Sequence, residues 1–179
     1  MRFISYSIFL FLLINCKSKK VDQQQSLWSE ITQYKLERCN EDAQCSIEII
    51  PNTNLILKQD EFQNSYVDFE KGDKLIVKYE FKRNQLPYTA DGQHIELIYF
   101  EMDKNTEQLL LTDKELQSVK MVYGRLCYCK GTSGYFKVTN GHLKLINNNE
   151  KMTIDLDFKV GKIPQLLSEI NETIKLKRN

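Results

Sequence analysis

The sequence is poor in the residues on which many function classes depend. Its 179 residues include two histidines, one tryptophan, seven glycines and three prolines. So little glycine and proline leaves no long low-complexity linker inside the body of the chain. The two histidines, His94 and His142, stand in no HExxH pair and no Ser-His spacing, so both signatures are absent. Gly131-Thr132-Ser133-Gly134 lacks the GxSxG spacing of a nucleophile elbow and lies between strand candidates, so it is read as a turn. An excess of one charge is missing too. The 25 Lys and Arg against 24 Asp and Glu give no basic surplus for a nucleic-acid surface. No apolar run reaches the roughly 20 residues of a spanning helix, and no internal repeat of convincing period is present. Acid pairs such as Asp155/Asp157, Asp60-Glu61 and Asp68/Glu70 fall on polar strand faces, not in a converging cleft. These absences leave no recognisable active site. The chain is expected to be no enzyme and to carry no cofactor or metal.

What is present begins at the first residues. Arg2 precedes an apolar run from Phe3 to Ile14 interrupted only by Ser5, Tyr6 and Ser7. A basic start followed by roughly 7–15 apolar residues is the layout of an export signal. A buried amphipathic helix would need a polar face that this run lacks. Next comes Leu13-Ile14-Asn15-Cys16, which resembles the lipobox of bacterial lipoproteins, with Asn15 where Gly, Ala or Ser is usual. The resemblance implies that residues 1–15 are a signal peptide cut away before Cys16. The Cys16 thiol would then carry diacylglycerol and its amine an acyl chain, a lasting anchor where a single chain would bind only marginally. Residues 16–25 include Lys17, Lys19, Lys20 and three glutamines. They read as a polar tether whose lysines add attraction to anionic head groups. Lys17 stands where an aspartate would signal inner-membrane retention, so the resemblance implies an outer-membrane anchor. The only charge lost with the signal is Arg2, which leaves the exported chain balanced.

Residues 26–179 read as one β-rich domain. Leu75, Val77, Tyr79 and Phe81 alternate with Ile76, Lys78, Glu80 and Lys82, the period of a half-buried strand. His94–Met102 is apolar on both faces, as a central strand would be, and Met152–Phe158 alternates almost strictly. Residues 46–50, 54–58 and 66–69 are shorter candidates. Asn140-Gly141 between two strand-like runs predicts a type I′ hairpin within a meander over 119–158. Thr112-Asp113-Lys114-Glu115 fits a capping box that opens a short helix. Pro164, with Ile163, Leu166, Leu167, Ile170 and Ile174 at helical spacing, predicts a C-terminal helix. Residues 26–38 lean towards helix. Seven or eight short strands imply an antiparallel β-sandwich or a partly open barrel, with the C-terminal helix packed on one face or end.

With Cys16 assigned to lipid, Cys39, Cys45, Cys127 and Cys129 remain, an even number in an oxidising compartment. A local pairing, Cys39 to Cys45 and Cys127 to Cys129, competes with a crossed one that ties the N-terminal segment to the central strands. In a fully extended strand, residues two apart are separated by about 6.5 Å, near the long limit for bridged Cα atoms. A third, less favoured arrangement uses Cys127, Cys129 and His142 as soft ligands for copper or zinc, but convenient ligand spacing is lacking. His142 reads as an exposed hairpin residue and His94 as a hydrogen-bonding residue near a loop.

The segment 84–93 joins two strong strands and is longer than most hairpin connections. Its apolar residues Leu86, Pro87 and Tyr88 are the binding-loop candidates, since loops on a rigid sheet often carry recognition. Two functional expectations follow. One is a lipid-anchored binding or structural module whose partners are the membrane, through Cys16, and an envelope protein or glycan. The other is an inhibitor or immunity-type lipoprotein that blocks a hydrolase: Ser133-Gly134-Tyr135 resembles the Ser-Gly and Tyr elements of envelope lysozyme inhibitors, though not in their spacing.

Overall fold

Among the described residues, alternating apolar and polar positions fold into ten strands arranged as two antiparallel sheets. The computed structural model describes residues 31–176 apart from Arg38, Leu86, Ala90, Asp91, Asn149 and Lys162. The proposed signal peptide and tether, including Cys16, lie outside the described residues. The strands are β1 (Thr32–Lys35), β2 (Ala43–Gln59), β3 (Ser65–Arg83), β4 (His94–Asp103), β5 (Gln108–Thr112), β6 (Val122–Cys127), β7 (Gly134–Lys137), β8 (Gly141–Asn147), β9 (Lys151–Phe158) and β10 (Glu169–Lys175). The first sheet has the order β1-β2-β3-β4-β6-β7 and the second β10-β9-β8-β5. Both are open, and they form a sandwich, not a barrel. Ile47, Ile49, Val77, Tyr79, Ile98, Phe100 and Tyr123 from the first sheet meet Leu143, Leu145, Met152, Ile154, Leu156 and Phe158 from the second in the main core.

The expected strands at 74–82, 94–102 and 152–158 all form. The short candidates at 46–50, 54–58 and 66–69 are pieces of two long strands. β2 runs on through Pro51 by means of a bulge between Pro51 and Thr53, where Asn52 takes φ 58°. A bulge bends its strand, and the distal half of the β2–β3 hairpin lies over the outer face of its own sheet. The Leu55 amide donates to Glu101 on β4 at 2.8 Å, and the Phe69 ring packs 5.9 Å from that of Tyr99. A second core of Ile50, Leu55, Ile76, Leu97 and Tyr99 is buried beneath it.

Three expectations are corrected. In place of the C-terminal helix, Ile163–Ser168 runs as irregular chain and β10 pairs with β9, with Ile170 opposite Leu156 and Ile174 opposite Met152. The tail of the 26–38 segment forms strand β1 where helix was expected. Asn140-Gly141 does not close a hairpin: β7 belongs to the first sheet and β8 to the second, so the turn carries the chain across the core. Gly141, at φ 144°, lies so close to β9 that a Cβ would sit 2.2 Å from the Asp157 carbonyl. Close approach, not hairpin closure, explains this glycine. The capping box does form. The Thr112 amide donates to Glu115 at 2.9 Å at the head of a 3₁₀ helix, Asp113–Val119, whose Leu116 and Val119 enter the core.

Candidate functional site

Antiparallel pairing gathers the cysteines and the long loop at one end of the first sheet. Cys45 lies opposite Phe81, Phe81 opposite Glu96, and Glu96 opposite Arg125, a continuous row across β2, β3, β4 and β6. One step further out, His94 faces Cys127. The connections β1–β2 (36–42), β3–β4 (84–93) and β6–β7 (128–133) therefore all emerge at this end. The first two are joined: the Asn84 amide donates to the Asp42 carbonyl at 2.7 Å, and Arg83 pairs with Asp42 at 3.3 Å.

The sulfurs are paired locally, Cys39 with Cys45 and Cys127 with Cys129. The Cα atoms of the second pair are 5.2 Å apart, less than the reach of a fully extended tripeptide, because β6 ends at Cys127 and the chain bends at Tyr128. The structure thus holds the local arrangement and not the crossed one. Of the binding-loop candidates, Leu86 lies outside the described residues. Pro87 is exposed, and Tyr88 is fully exposed with φ 64°, a backbone setting uncommon for a bulky side chain. A second exposed aromatic, Tyr128, is 88% accessible between the two cysteines at the same end. In the sequence it is a lone tyrosine between two cysteines, with no alternation that marks it as exposed.

Beneath these loops sits a polar cluster that alternation alone did not reveal. Glu96 is fully buried. Its carboxylate accepts from the Leu167 amide at 2.7 Å and from the Leu166 amide at 3.0 Å. It meets His94 Nε2 at 2.8 Å and lies 3.9 Å from Arg125 Nε. Buried charge persists where it is paired and hydrogen-bonded, and here it fastens the segment before β10 to β4. Arg125 in turn donates to Thr132 Oγ1 at 2.6 Å, while the Ser133 hydroxyl donates to the Arg125 carbonyl at 3.0 Å, closing the β6–β7 loop. Tyr123, buried next to the cluster, has its phenol pushed far above the usual range, by burial first and then by the Glu96 charge. It stays neutral at any physiological pH.

Ser133, Gly134 and Tyr135 serve the fold. Ser133 braces Arg125, and Tyr135 packs over Gly124, where a Cβ would meet its ring at 2.7 Å. His142 bonds Thr112 on the second sheet and stays apart from the cysteines. A shallow groove on the outer face of β1–β3 is lined by Gln33, Lys35, Gln44, Ser46, Glu80 and Lys82. It carries no aromatic platform. Comparison of the chain with protein-family models, with curated proteins and with solved structures finds no match.

Proposed function

We propose that the chain is a lipid-anchored module of the bacterial envelope that grips a protein or glycan partner through the loop end of its first sheet. One observation carries the reading. Three connections, two disulfides and two exposed tyrosines, Tyr88 and Tyr128, converge at one end of a rigid sandwich. Tyrosines present large apolar area at low entropic cost and are enriched at recognition surfaces, and short covalent loops hold such a surface in shape. β1 runs towards this same end, from Thr32 opposite Ile49 to Lys35 opposite Ser46.

The test uses the full chain in its own envelope. A photo-crosslinking residue in place of Tyr88 or Tyr128 should capture one and the same partner. The same residue in place of Leu110, 60% exposed on the second sheet, should capture none. Cys16→Ser should release the protein from the membrane fraction. Capture from Leu110 alone, or no release by Cys16→Ser, overturns the reading. A captured hydrolase whose activity falls on binding would replace it with the inhibitor role.

A further inference from the structure

Donors of the soft-metal type meet where β4 begins and β6 ends. An imidazole nitrogen of His94 and the sulfurs of Cys127 and Cys129 all lie within 4.8 Å of one another, half-buried. The arrangement follows from register: His94 lies directly opposite Cys127, and the bend at Tyr128 turns Cys129 back beside it. His94 Nε2 is engaged at 2.8 Å by fully buried Glu96, so Nδ1 is the nitrogen left to an incoming ion. That is the habit of metal-bound imidazoles, whose second nitrogen almost always rests on a carboxylate or carbonyl that fixes the tautomer and ring plane. Glu96 is itself immobilised by the Leu166 and Leu167 amides, so the imidazole ring is held in place before any ion arrives.

We propose that, once the Cys127–Cys129 disulfide is reduced, His94, Cys127 and Cys129 form a three-donor site for a monovalent copper ion. Thiolates select soft ions such as copper(I). Structural zinc asks for four ligands, and among the described residues this trio is the only group of its kind. The chemistry is balanced by a dithiol reductant: two electrons and two protons pass to the protein, the Cys127–Cys129 S–S bond breaks into two thiols, and the reductant closes to its own disulfide. Copper(I) then displaces both thiol protons and is held by two sulfurs and one nitrogen. A disulfide oxidant that withdraws two electrons from the thiolates re-forms the S–S bond and expels the ion. The site thus binds copper in one redox state and not the other. The proposal does not rest on the partner-binding reading, although Cys127 and Cys129 flank Tyr128 of that end.

The test is an anaerobic titration of the full lipidated chain in detergent micelles, reduced with a dithiol and desalted. Copper(I) is supplied in competition with a chromogenic copper(I) chelator. The expected result is one ion per reduced chain and none per oxidised chain, with X-ray absorption showing two sulfur neighbours and one nitrogen. His94→Ala should weaken binding at least about 10-fold, on the scale of lost metal-site support. Cys127→Ser with Cys129→Ser should abolish it, and Cys39→Ser with Cys45→Ser should leave it one-to-one. His94→Gln serves in place of His94→Ala if the latter does not fold. Equal copper on oxidised and reduced chains, or unchanged affinity without His94, overturns the proposal. So does circular dichroism showing that reduction unfolds the sheet.

Discussion

Replacing Glu96 with glutamine should loosen one whole edge of the molecule. The substitution keeps the shape of the side chain, so no cavity forms. It turns one of two acceptor oxygens into a donor. That carboxylate serves the Leu166 and Leu167 amides and His94 Nε2 within 3.1 Å, and all three partners face it with nitrogen. A glutamine NH₂ facing His94 avoids an N–H clash only if the imidazole switches to the tautomer with Nε2 unprotonated, and the remaining oxygen accepts more weakly from the Leu166 and Leu167 amides. A hydrogen bond to a charged group contributes about 1.5–3 kcal/mol. Arg125, buried and 3.9 Å away, also loses its counter-charge, and breaking a buried pair is costly. Together these put the loss for Glu96→Gln at about 3 kcal/mol, or a melting point lower by roughly 10 °C at the sensitivity usual for a domain of this size. Urea unfolding followed by far-ultraviolet circular dichroism measures the first quantity. Hydrogen exchange locates the cause: amides of Leu166 and Leu167 and the adjoining β10 should lose protection before the rest of the second sheet. A loss below about 0.5 kcal/mol with exchange unchanged, the range of an ordinary surface substitution, would refute the view that Glu96 fastens this segment.

Further outcomes follow from the same contacts. Burial pushes the Tyr79 phenol up to about 12 and raises those of Tyr99 and Tyr123 still further. The unfolded chain therefore loses phenolic protons first, and stability should hold below pH 10 and fall as pH climbs from 10 to about 12. Denaturant midpoints across that window check this, and a midpoint that does not move would contradict it. Gly141→Ala places a methyl group 2.2 Å from the Asp157 carbonyl at φ 144° and should cost at least about 2 kcal/mol in thermal unfolding, since both clash and strain oppose it. Removing Cys39–Cys45, which closes a loop over a sequence separation of six, should cost about 2 kcal/mol by loop-closure entropy. Equal midpoints for the Cys39→Ser/Cys45→Ser chain and the parent would exclude that contribution.

Strand identity was legible wherever one face was apolar and the other wet. Leu75 to Phe81 and Met152 to Phe158 announced themselves by period two, and the capping residues Thr112 and Glu115 announced a helical turn. The C-terminal misreading has a definite origin. Ile170 and Ile174 are four apart, which is one helical turn and also two strand repeats. Only the pairing of these residues with Leu156 and Met152 decides between the two, and pairing is a property of distant segments. Asn140-Gly141 misled for a related reason: the dipeptide reports tolerance of positive φ, not whether the strands on either side share a sheet. The Glu96 cluster was hidden because its partners lie up to 71 positions away in the chain. His94 and Cys127 become neighbours only through the β4–β6 register. The Cys127–Cys129 disulfide needed the bend at Tyr128, which a fully extended strand does not provide.

The bent β2–β3 hairpin gives the protein a lid made from its own central strands. Because that lid conceals Ile50, Ile76 and Leu97, chain trimmed between residues 53 and 71 would leave a sticky sheet ready to pair or clump with its copies. The tip is different: the Asp60 side chain organises the turn, accepting from the Phe62 and Asn64 amides, and the Phe62 ring projects into solvent. An epitope or fluorophore spliced in beside Phe62 should therefore ride on the outside without disturbing either core.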